Sequence, residues 1–270
     1  MTHKKLQNNL VLMNHSLELG EMRCDHAQSH WIASHDLQSP SLDKVRSLMP
    51  ARELKVLLDE SLACEVESRL RPLLTLDPHC QADGNYGLTT LYCDTPRFEV
   101  FHRQGRYRLF KFRLRRYGDS SHIYLERKSK QGTRVRKQRT QIDSCEVGRL
   151  AAERAEQDWV GARYHRHLLR NLFRPVCLLQ YNRVAYFGAT EFSSVRLTFD
   201  RQIRGSLATK WSLTAPNDAT ALLPGKVVCE FKYRGSLPLL FKSAVHSLQL
   251  ITCGVSKYRH CLQTVGVPCF

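Results

Sequence analysis

Over several stretches of this chain, apolar and polar residues alternate one for one, the period of a β-strand with one face on a core and the other face polar. Phe110-Lys111-Phe112-Arg113-Leu114-Arg115 is the plainest case, with three cations on one face and Phe110, Phe112 and Leu114 on the other. Glu126 and Lys128 share a face opposite Ile123 and Leu125, and Lys137 and Arg139 repeat the spacing. Glu53 lies beside Lys55 in Arg52-Glu53-Leu54-Lys55. Arg196, Thr198 and Asp200 oppose Leu197 and Phe199, and Glu230 and Lys232 oppose Cys229 and Phe231. Strands therefore dominate from Arg52 onward, and Pro78, Gly84, Gly87, Gly118, Gly132, Gly205 and Gly225 punctuate them as turns.

Helical spacing predicts three surface helices. One runs from Asp59 to Leu74, with Leu62, Val66, Leu70 and Leu73 on one stripe and Asp59 or Ser61 as cap. A long one spans Asp143 to Leu172, with Val147, Leu150, Ala151, Ala155 and Trp159 along its apolar side. The third spans Pro238 to Ile251, with Leu240, Val245, Leu248 and Ile251 facing inward. Residues 1–45 are polar and aperiodic, and read as a poorly ordered arm preceding one folded domain over 46–270. The arm's histidines match no metal-ligand spacing.

Charge changes this picture most. The chain has 41 Lys+Arg against 25 Asp+Glu, a formal net charge of +16, which implies an anionic partner. The excess is concentrated: between Arg97 and Arg139 stand fifteen Lys or Arg and three acids, Glu99, Asp119 and Glu126. The ten cysteines form no Cys-x-x-Cys pair and several sit in apolar runs, as reduced thiols of a core would. No signal-peptide pattern is visible, and no run approaches the ~18 apolar residues of a spanning helix. A soluble, cytoplasmic protein is expected.

A single alternating strand describes a sheet with one solvated face. Six such strands whose polar face is mostly Lys and Arg suggest more: if they close into a barrel, with the helices over the apolar faces, the charges point inward. Two like charges ~6 Å apart repel by roughly 3 kcal/mol at an effective dielectric near 20. A bound polyanion relieves that repulsion. Among the cations, Glu230 and Glu126 are candidate ligands for a divalent metal bridging phosphate oxygens, and Glu53 is placed to orient Lys55. A nucleic-acid module would need rings beside the cations for stacking, whereas alternation sends Phe110 and Phe112 to the opposite face.

Seven segments occur in an order that resembles the VTC domain, the polyphosphate-polymerase branch of the CYTH, or triphosphate tunnel metalloenzyme, superfamily. They are Arg52-Glu53-Leu54-Lys55, Leu91-Tyr92-Cys93-Asp94-Thr95-Pro96, Phe112-Arg113-Leu114-Arg115-Arg116-Tyr117-Gly118-Asp119, Leu125-Glu126-Arg127-Lys128, Tyr181-Asn182-Arg183, Glu230-Phe231-Lys232 and Ser256-Lys257-Tyr258. The resemblance covers residues 48–262. It implies an α+β fold: an eight-stranded antiparallel β-barrel, or tunnel, with surface helices, holding a triphosphate along its axis. It also implies transfer of the terminal phosphoryl group of ATP to a polyphosphate chain with Mn2+ or Mg2+. Carried over by motif, Lys55, Arg113, Arg115, Lys128, Lys137, Arg183 and Lys257 grip phosphate oxygens and Glu230 ligates the metal. Lys111, Arg139 and Lys232 are further phosphate contacts, and Asp200 a supporting acid. One departure stands at the opening motif, where Ala51 occupies the position of the superfamily's first glutamate.

The implied chemistry is positioning and charge neutralisation with no covalent enzyme intermediate, since an ionised phosphate acceptor requires no strong general base. The charged faces carry no histidine; His79, His122, His165 and His246 fall in loops or helices. Hydrolysis of triphosphate, cyclisation of a nucleotide, and polyphosphate binding without catalysis use the same grip and remain alternatives.

Overall fold

The computed structural model describes residues 49–80, 84–131, 134–189 and 194–267, so the predicted arm over 1–45 lies outside the described residues. Ten strands form one sheet: β1 (Ala51–Asp59), β2 (Thr75–Leu76), β3 (Tyr86–Asp94), β4 (Phe110–Tyr117), β5 (His122–Gln131), β6 (Arg134–Asp143), β7 (Arg174–Ala189), β8 (Ser194–Leu207), β9 (Thr220–Ala221) and β10 (Lys226–Arg234). Eight of them follow the antiparallel path β1-β10-β8-β7-β3-β4-β5-β6, with β2 on β7 and β9 on β8 as short side pairings. The predicted barrel is therefore present as a curled sheet with a seam, because no ladder joins β6 to β1 among the described residues. Both seam strands carry cations, and charged edges resist strand pairing. The curl still brings β5 round to β1, since Lys128 feels both Glu53 and Lys55.

Two apolar clusters cover the outside of the curl. Val56, Leu58, Leu197, Phe199, Cys229 and Phe231 from β1, β8 and β10 pack with Ala63, Val66 and Leu70 of α1 (Glu60–Leu70) and with Phe241 and Ala244 of α3 (Leu239–Ser247). Leu91, Phe112, Leu114, Ile123 and Leu125 pack with Val147, Leu150, and Tyr164 and Leu168 of α2 (Ala162–Arg170). Leu197, Phe199, Phe231, Leu114 and Leu91 are fully buried, and each such side chain contributes about 1.5–3 kcal/mol on removal from water. With the odd-numbered side chains of β8 outward in this way, Arg196, Thr198 and Asp200 must face inward, and the same alternation turns inward the odd-numbered Glu53, Lys55, Lys111 and Arg113 of β1 and β4 and the even-numbered Glu126, Lys128, Glu230 and Lys232 of β5 and β10.

The helices depart from expectation in four ways. The first stops at Leu70 and ends in a 3-10 turn, Arg71–Leu73, with Pro72 inside its first turn. Its N-cap residue Asp59 makes no capping hydrogen bond and pairs instead with Lys226 at 2.5 Å. The long helix over 143–172 is broken. A capping box of Asp143 and Glu146 opens a 3-10 segment, Ser144–Ala151, and α2 begins only at Ala162. Between them the chain folds back so that Trp159 Nε1 donates to Glu146 Oε1 at 2.9 Å. Only glycine fits beside that ring, because a Cβ at Gly161 would stand 2.5 Å from it. The third helix ends at Ser247, leaving Ile251, predicted inward, 84% exposed. A fourth, α4 (Lys257–Val265), was not predicted as a helix.

Helix α4 reaches the sheet through two features of β8. Between the pairs Gln180–Arg204 and Asn182–Arg201, β8 carries an extra residue, with Gln202 at φ 51°, a bulge that resets the alternation. Arg201 then points outward to Glu60 and Glu67 of α1 (2.7 and 3.0 Å), while Gly205 faces α4, where a Cβ would stand 2.6 Å from Cys261 Sγ. Tyr258 stacks on Tyr92 at 5.2 Å between ring centroids, and its hydroxyl donates to Asp94. Asp94 also accepts from the backbone N–H groups of Thr95, Val100 and Phe101, which explains the Asp94-Thr95-Pro96 motif as a structural one. Cys93, Cys177, Cys229 and Cys261 are buried thiols, as expected. No helix of the described residues is long and apolar enough to cross a membrane.

Candidate functional site

The inward residues of β1, β8 and β10 meet Lys257 at the start of α4 in a network of alternating sign. Glu230, 6% exposed, receives Lys232 Nζ at 2.6 Å, Lys55 Nζ at 3.1 Å and Lys257 Nζ at 3.8 Å. Lys55 also reaches Glu53 at 2.8 Å, so one ammonium bridges two carboxylates. Asp200, wholly buried, takes both nitrogens of the Arg183 fork (2.5 and 2.7 Å) and Lys257 Nζ at 2.5 Å. Burial raises the cost of both carboxylate charges, but the cations outweigh it. Arg183 and Lys257 hold Asp200 at about 2, and Lys232, Lys257 and Lys55 hold Glu230 well below the usual carboxylate range. Burial likewise opposes the charge on Lys55, and Glu230 and Glu53 raise its pKa above the ordinary lysine value.

The facing wall, from β4, β5 and β6, is unlike this. Its central acid, Glu126, is taken by guanidinium groups: Arg113 Nε at 2.6 Å, Arg139 Nε at 3.6 Å and Arg115 at 3.9 Å. Beyond it runs a row fixed by strand register, Lys111 opposite Lys128 and Lys128 opposite Lys137. Among the described residues no carboxylate stands within ion-pair distance of these three ammoniums. Burial depresses the pKa of Lys111, and Lys55, Lys128 and Arg113 add to it despite the Tyr92 phenol. Burial also depresses Lys128; Glu53 opposes this, while Lys137, Lys55 and Arg113 reinforce it. The interior is positive enough to act on tyrosine: burial disfavours the Tyr92 phenolate, yet Arg113, Arg115 and Lys111 pull its pKa below the ordinary value.

Two hydroxyls and one mouth complete the interior. Tyr181 accepts from Arg115 at 3.2 Å and lies beneath Lys257 and Arg183, 5.2 and 5.5 Å from its ring centroid. Thr198, wholly buried and paired across the ladder with Glu230, has a hydroxyl without a partner. Toward one end, Tyr86, Tyr117, Tyr124 and Phe187 line a cavity of about 530 Å3 together with Asp77, Arg139 and Arg196. Arg139 stands 3.5 Å from the centroid of Tyr124, and Arg196 pairs with Asp77 at 3.0 Å.

The sequence-predicted residues thus share one interior and divide within it. Lys55, Glu53, Arg183, Asp200, Glu230, Lys232 and Lys257 form the mixed-sign network. Lys111, Arg113, Arg115, Glu126, Lys128, Lys137 and Arg139 form the basic wall. The two candidate metal ligands differ in surroundings: Glu126 is held by three guanidiniums, whereas Glu230 lies with Glu53 around one ammonium. Among the described residues no three His, Cys, Asp or Glu side chains cluster as a ready metal site. The donors Glu230 and Glu53 do suit a hard cation that takes its remaining ligands from phosphate oxygens. Sequence reasoning assigned no role to Tyr92, Tyr181 or Thr198. Parity alone places Tyr181 on the face of Arg183, and Thr198 on that of Asp200.

The model of the VTC domain matches residues 51–265, nearly the whole described chain. The chain belongs to the VTC domain family. No curated protein matches this VTC domain by sequence. Among solved structures, a Hippeastrum protein assigned as an adenylyl cyclase, described as having a dominant triphosphatase activity, is 14% identical with a TM-score of 0.49, covering 82% of this chain and 98% of its own. A Bacillus halodurans protein assigned as an adenylate cyclase is 12% identical with a TM-score of 0.44, covering 77% and 96%. A Pyrococcus horikoshii protein is 13% identical with a TM-score of 0.35, covering 74% and 86%.

Proposed function

We propose that this VTC domain is a metal-dependent polyphosphate polymerase: it binds ATP and a polyphosphate end in its tunnel and passes the terminal phosphoryl group from one to the other. The observation that carries the reading is the row Lys111–Lys128–Lys137, three neighbouring ammoniums that no carboxylate of the described residues approaches within ion-pair distance. A triphosphate supplies the missing anion. Arg113 and Arg115, with Lys111, Lys128 and Lys137, hold non-bridging oxygens from one wall, and Lys55, Arg183, Lys232 and Lys257 hold them from the other. Arg139 guards the mouth, and the unpartnered Thr198 hydroxyl donates to the nearest phosphoryl oxygen.

Binding redistributes charge across the two walls. Glu230 and Glu53 share Lys55, and they are the carboxylates that would hold a Mn2+ or Mg2+ ion, which would supply charge neutralisation on the transferring group. Asp200 keeps Arg183 and Lys257 aimed inward while itself remaining ionised. The acceptor phosphate is already ionised, so the tunnel needs to align donor and acceptor and shield their repulsion rather than remove a proton. Guanidiniums suit this because they remain charged throughout the working range.

Purified protein with ATP and Mn2+, sampled over time and resolved on a polyphosphate-stained gel, tests the reading. Lengthening chains are expected. Release of free phosphate without chains replaces the polymerase with a triphosphatase, and tight triphosphate binding with neither product leaves a carrier.

A further inference from the structure

The outside of the sheet carries cations that the tunnel does not use. Arg127 alternates with Glu126 and Lys128, so it leaves β5 on the outer face, 5.4 and 5.7 Å from the ring centroids of Phe110 and Phe112. Its NH1 donates to Gln138 Oε1 at 3.2 Å and to His167 Nε2 at 3.1 Å, and its Nε is buried without a partner. Arg106, from the 3-10 segment Gly105–Leu109, donates to Asn171 Oδ1 at 3.2 Å and so points to the same place. Helix α2, Ala-Arg-Tyr-His-Arg-His-Leu-Leu-Arg, adds His167 and Arg170 from above, with Arg163 and Arg166 beside them and no acid in its nine residues.

Arg106, Phe110, Phe112, Arg127, His167, Arg170 and Asn171 enclose a cavity of about 450 Å3 that no carboxylate of the described residues lines. A second cavity of about 350 Å3 shares Arg127 and His167 with the first and reaches Lys137 and Arg139 on the inner face of β6. A continuous lane of cations thus passes from the outer surface over the seam edge to the tunnel. An ordinary solvated helix face mixes both signs and gains from i,i+4 pairs, whereas this one gathers like charge. Burial, then Arg127, Arg163, Arg170 and Arg166, lowers the pKa of His167, so the imidazole accepts from Arg127 as a neutral ring.

We propose that the outer cavity beneath α2 is a second binding site, for a linear phosphate chain, built from Arg106, Arg127, His167 and Arg170 and joined to the tunnel over the β6 edge. The ligand class rests on the tunnel reading; the existence of an outer anion site rests on the cavity itself. Guanidinium forks match phosphoryl oxygens, and two adjoining cavities suit an extended anion over a single ion. Single-stranded RNA fits less well, because Arg127 already lies over both phenylalanine rings that a base would stack on.

Calorimetric titration of the full chain with tripolyphosphate at low salt tests this. Two sites are expected. In Arg127→Gln/Arg170→Gln the outer site weakens by ~100-fold, about tenfold per guanidinium, while the tunnel site and the circular dichroism spectrum are kept. Arg106→Gln, at an exposed position, gives about tenfold by the same measure and serves if the double variant fails to fold. Lys111→Glu/Lys128→Glu removes the other site and keeps the outer one. A single wild-type site that the lysine reversal removes, or an outer site unmoved by these arginine variants, overturns the proposal, as does single-stranded RNA of equal phosphate count displacing tripolyphosphate from the outer site at lower concentration. Two sites of which only the outer responds to substitution leave the proposal standing and count against the tunnel reading.

Discussion

The two walls of the tunnel solve the problem of buried charge in opposite ways. On the wall of β1, β7, β8, β10 and the start of α4, the cations of the network have carboxylates: Lys55, Lys232 and Lys257 gather on Glu230, and Arg183 with Lys257 on Asp200. On β4–β6, Lys111, Lys128 and Lys137 stand in register with none within ion-pair distance among the described residues. A paired network is complete in the free protein, and breaking it leaves uncompensated charge. An unpaired row is destabilising until an anion arrives, so binding free energy and folding free energy trade against each other there. The difference predicts that substitutions in one wall act mainly on stability and those in the other mainly on affinity.

Reversing the unpaired row gives the largest effect. Lys111→Glu/Lys128→Glu lowers affinity at the tunnel site by more than ~1000-fold, from two charge-assisted contacts turned repulsive, while the thermal midpoint does not fall. Calorimetry with tripolyphosphate and scanning of the unliganded protein measure the two sides, and retained tunnel affinity would remove this wall from the site. The matching experiment on the paired wall is Asp200→Asn, which strands Arg183 and Lys257 and costs roughly 3–5 kcal/mol of stability. Tripolyphosphate then raises the variant's midpoint more than the wild type's, because it supplies the lost counter-charge. Equal midpoints with and without Asp200 would mean that the network holds nothing together.

Within the paired wall, Glu230→Gln separates turnover from binding. Metal-dependent turnover is expected to fall about 10–100-fold with a smaller loss of triphosphate affinity, whereas Glu126→Gln changes the grip of Arg113 and Arg139 and weakens binding instead. The opposite split would move the metal to Glu126.

The walls also differ in their response to pH. The pKa of Asp200 falls to about 2, and that of Glu230 lies well below its ordinary value. A depressed carboxylate contributes stability that is present above its unfolded pKa, near 4, and lost as pH falls through the folded value. The paired wall therefore weakens from about pH 4 downward toward pH 2. Lys111 and Lys128 have depressed pKa values, so the folded state sheds their protons before the unfolded chain does. Stability accordingly rises with pH in the interval just below the lysine reference of about 10.4. Bound tripolyphosphate restores those protons and flattens that rise, and an unchanged alkaline slope with ligand present would contradict the pairing of phosphate with this row.

Much of this was legible from alternation. Period two is local, so Phe110 through Arg115, or Leu197 through Asp200, could be sorted into faces without knowing what covered them. What alternation cannot supply is the partner across a ladder or across the interior. Glu126 and Glu230 look alike on their strands, and only register, putting Arg113 beside one and Lys55 beside the other, tells them apart. The β8 bulge at Gln202 shifts parity within a single strand, which no periodic pattern foresees. The long helix over 143–172 failed for a similar reason: the stripe of Val147, Leu150 and Trp159 is real burial, but Trp159 arrives by a fold-back over Gly161 rather than by helical rise. Helix α4 is short and weakly patterned, and gains its place through Tyr258, Cys261 and Leu262 in the core.

That dependence of α4 on tertiary contacts sets the smallest test. Tyr258→Phe keeps the ring stacked on Tyr92 but removes the hydroxyl from Asp94, which retains three backbone N–H donors. Loss of one buried hydrogen bond to a carboxylate costs about 1–2 kcal/mol, read as a lowered urea midpoint at unchanged slope. Lys257, one residue away, is held by Asp200 and Glu230 rather than by Asp94. If the paired wall positions its own cations, affinity for tripolyphosphate changes less than ~3-fold, a shift of under about 0.7 kcal/mol. A loss as large as that of a charge reversal would instead make the Tyr258–Asp94 contact the element that aims Lys257, and would shift the origin of the network's order from its carboxylates to the seating of α4.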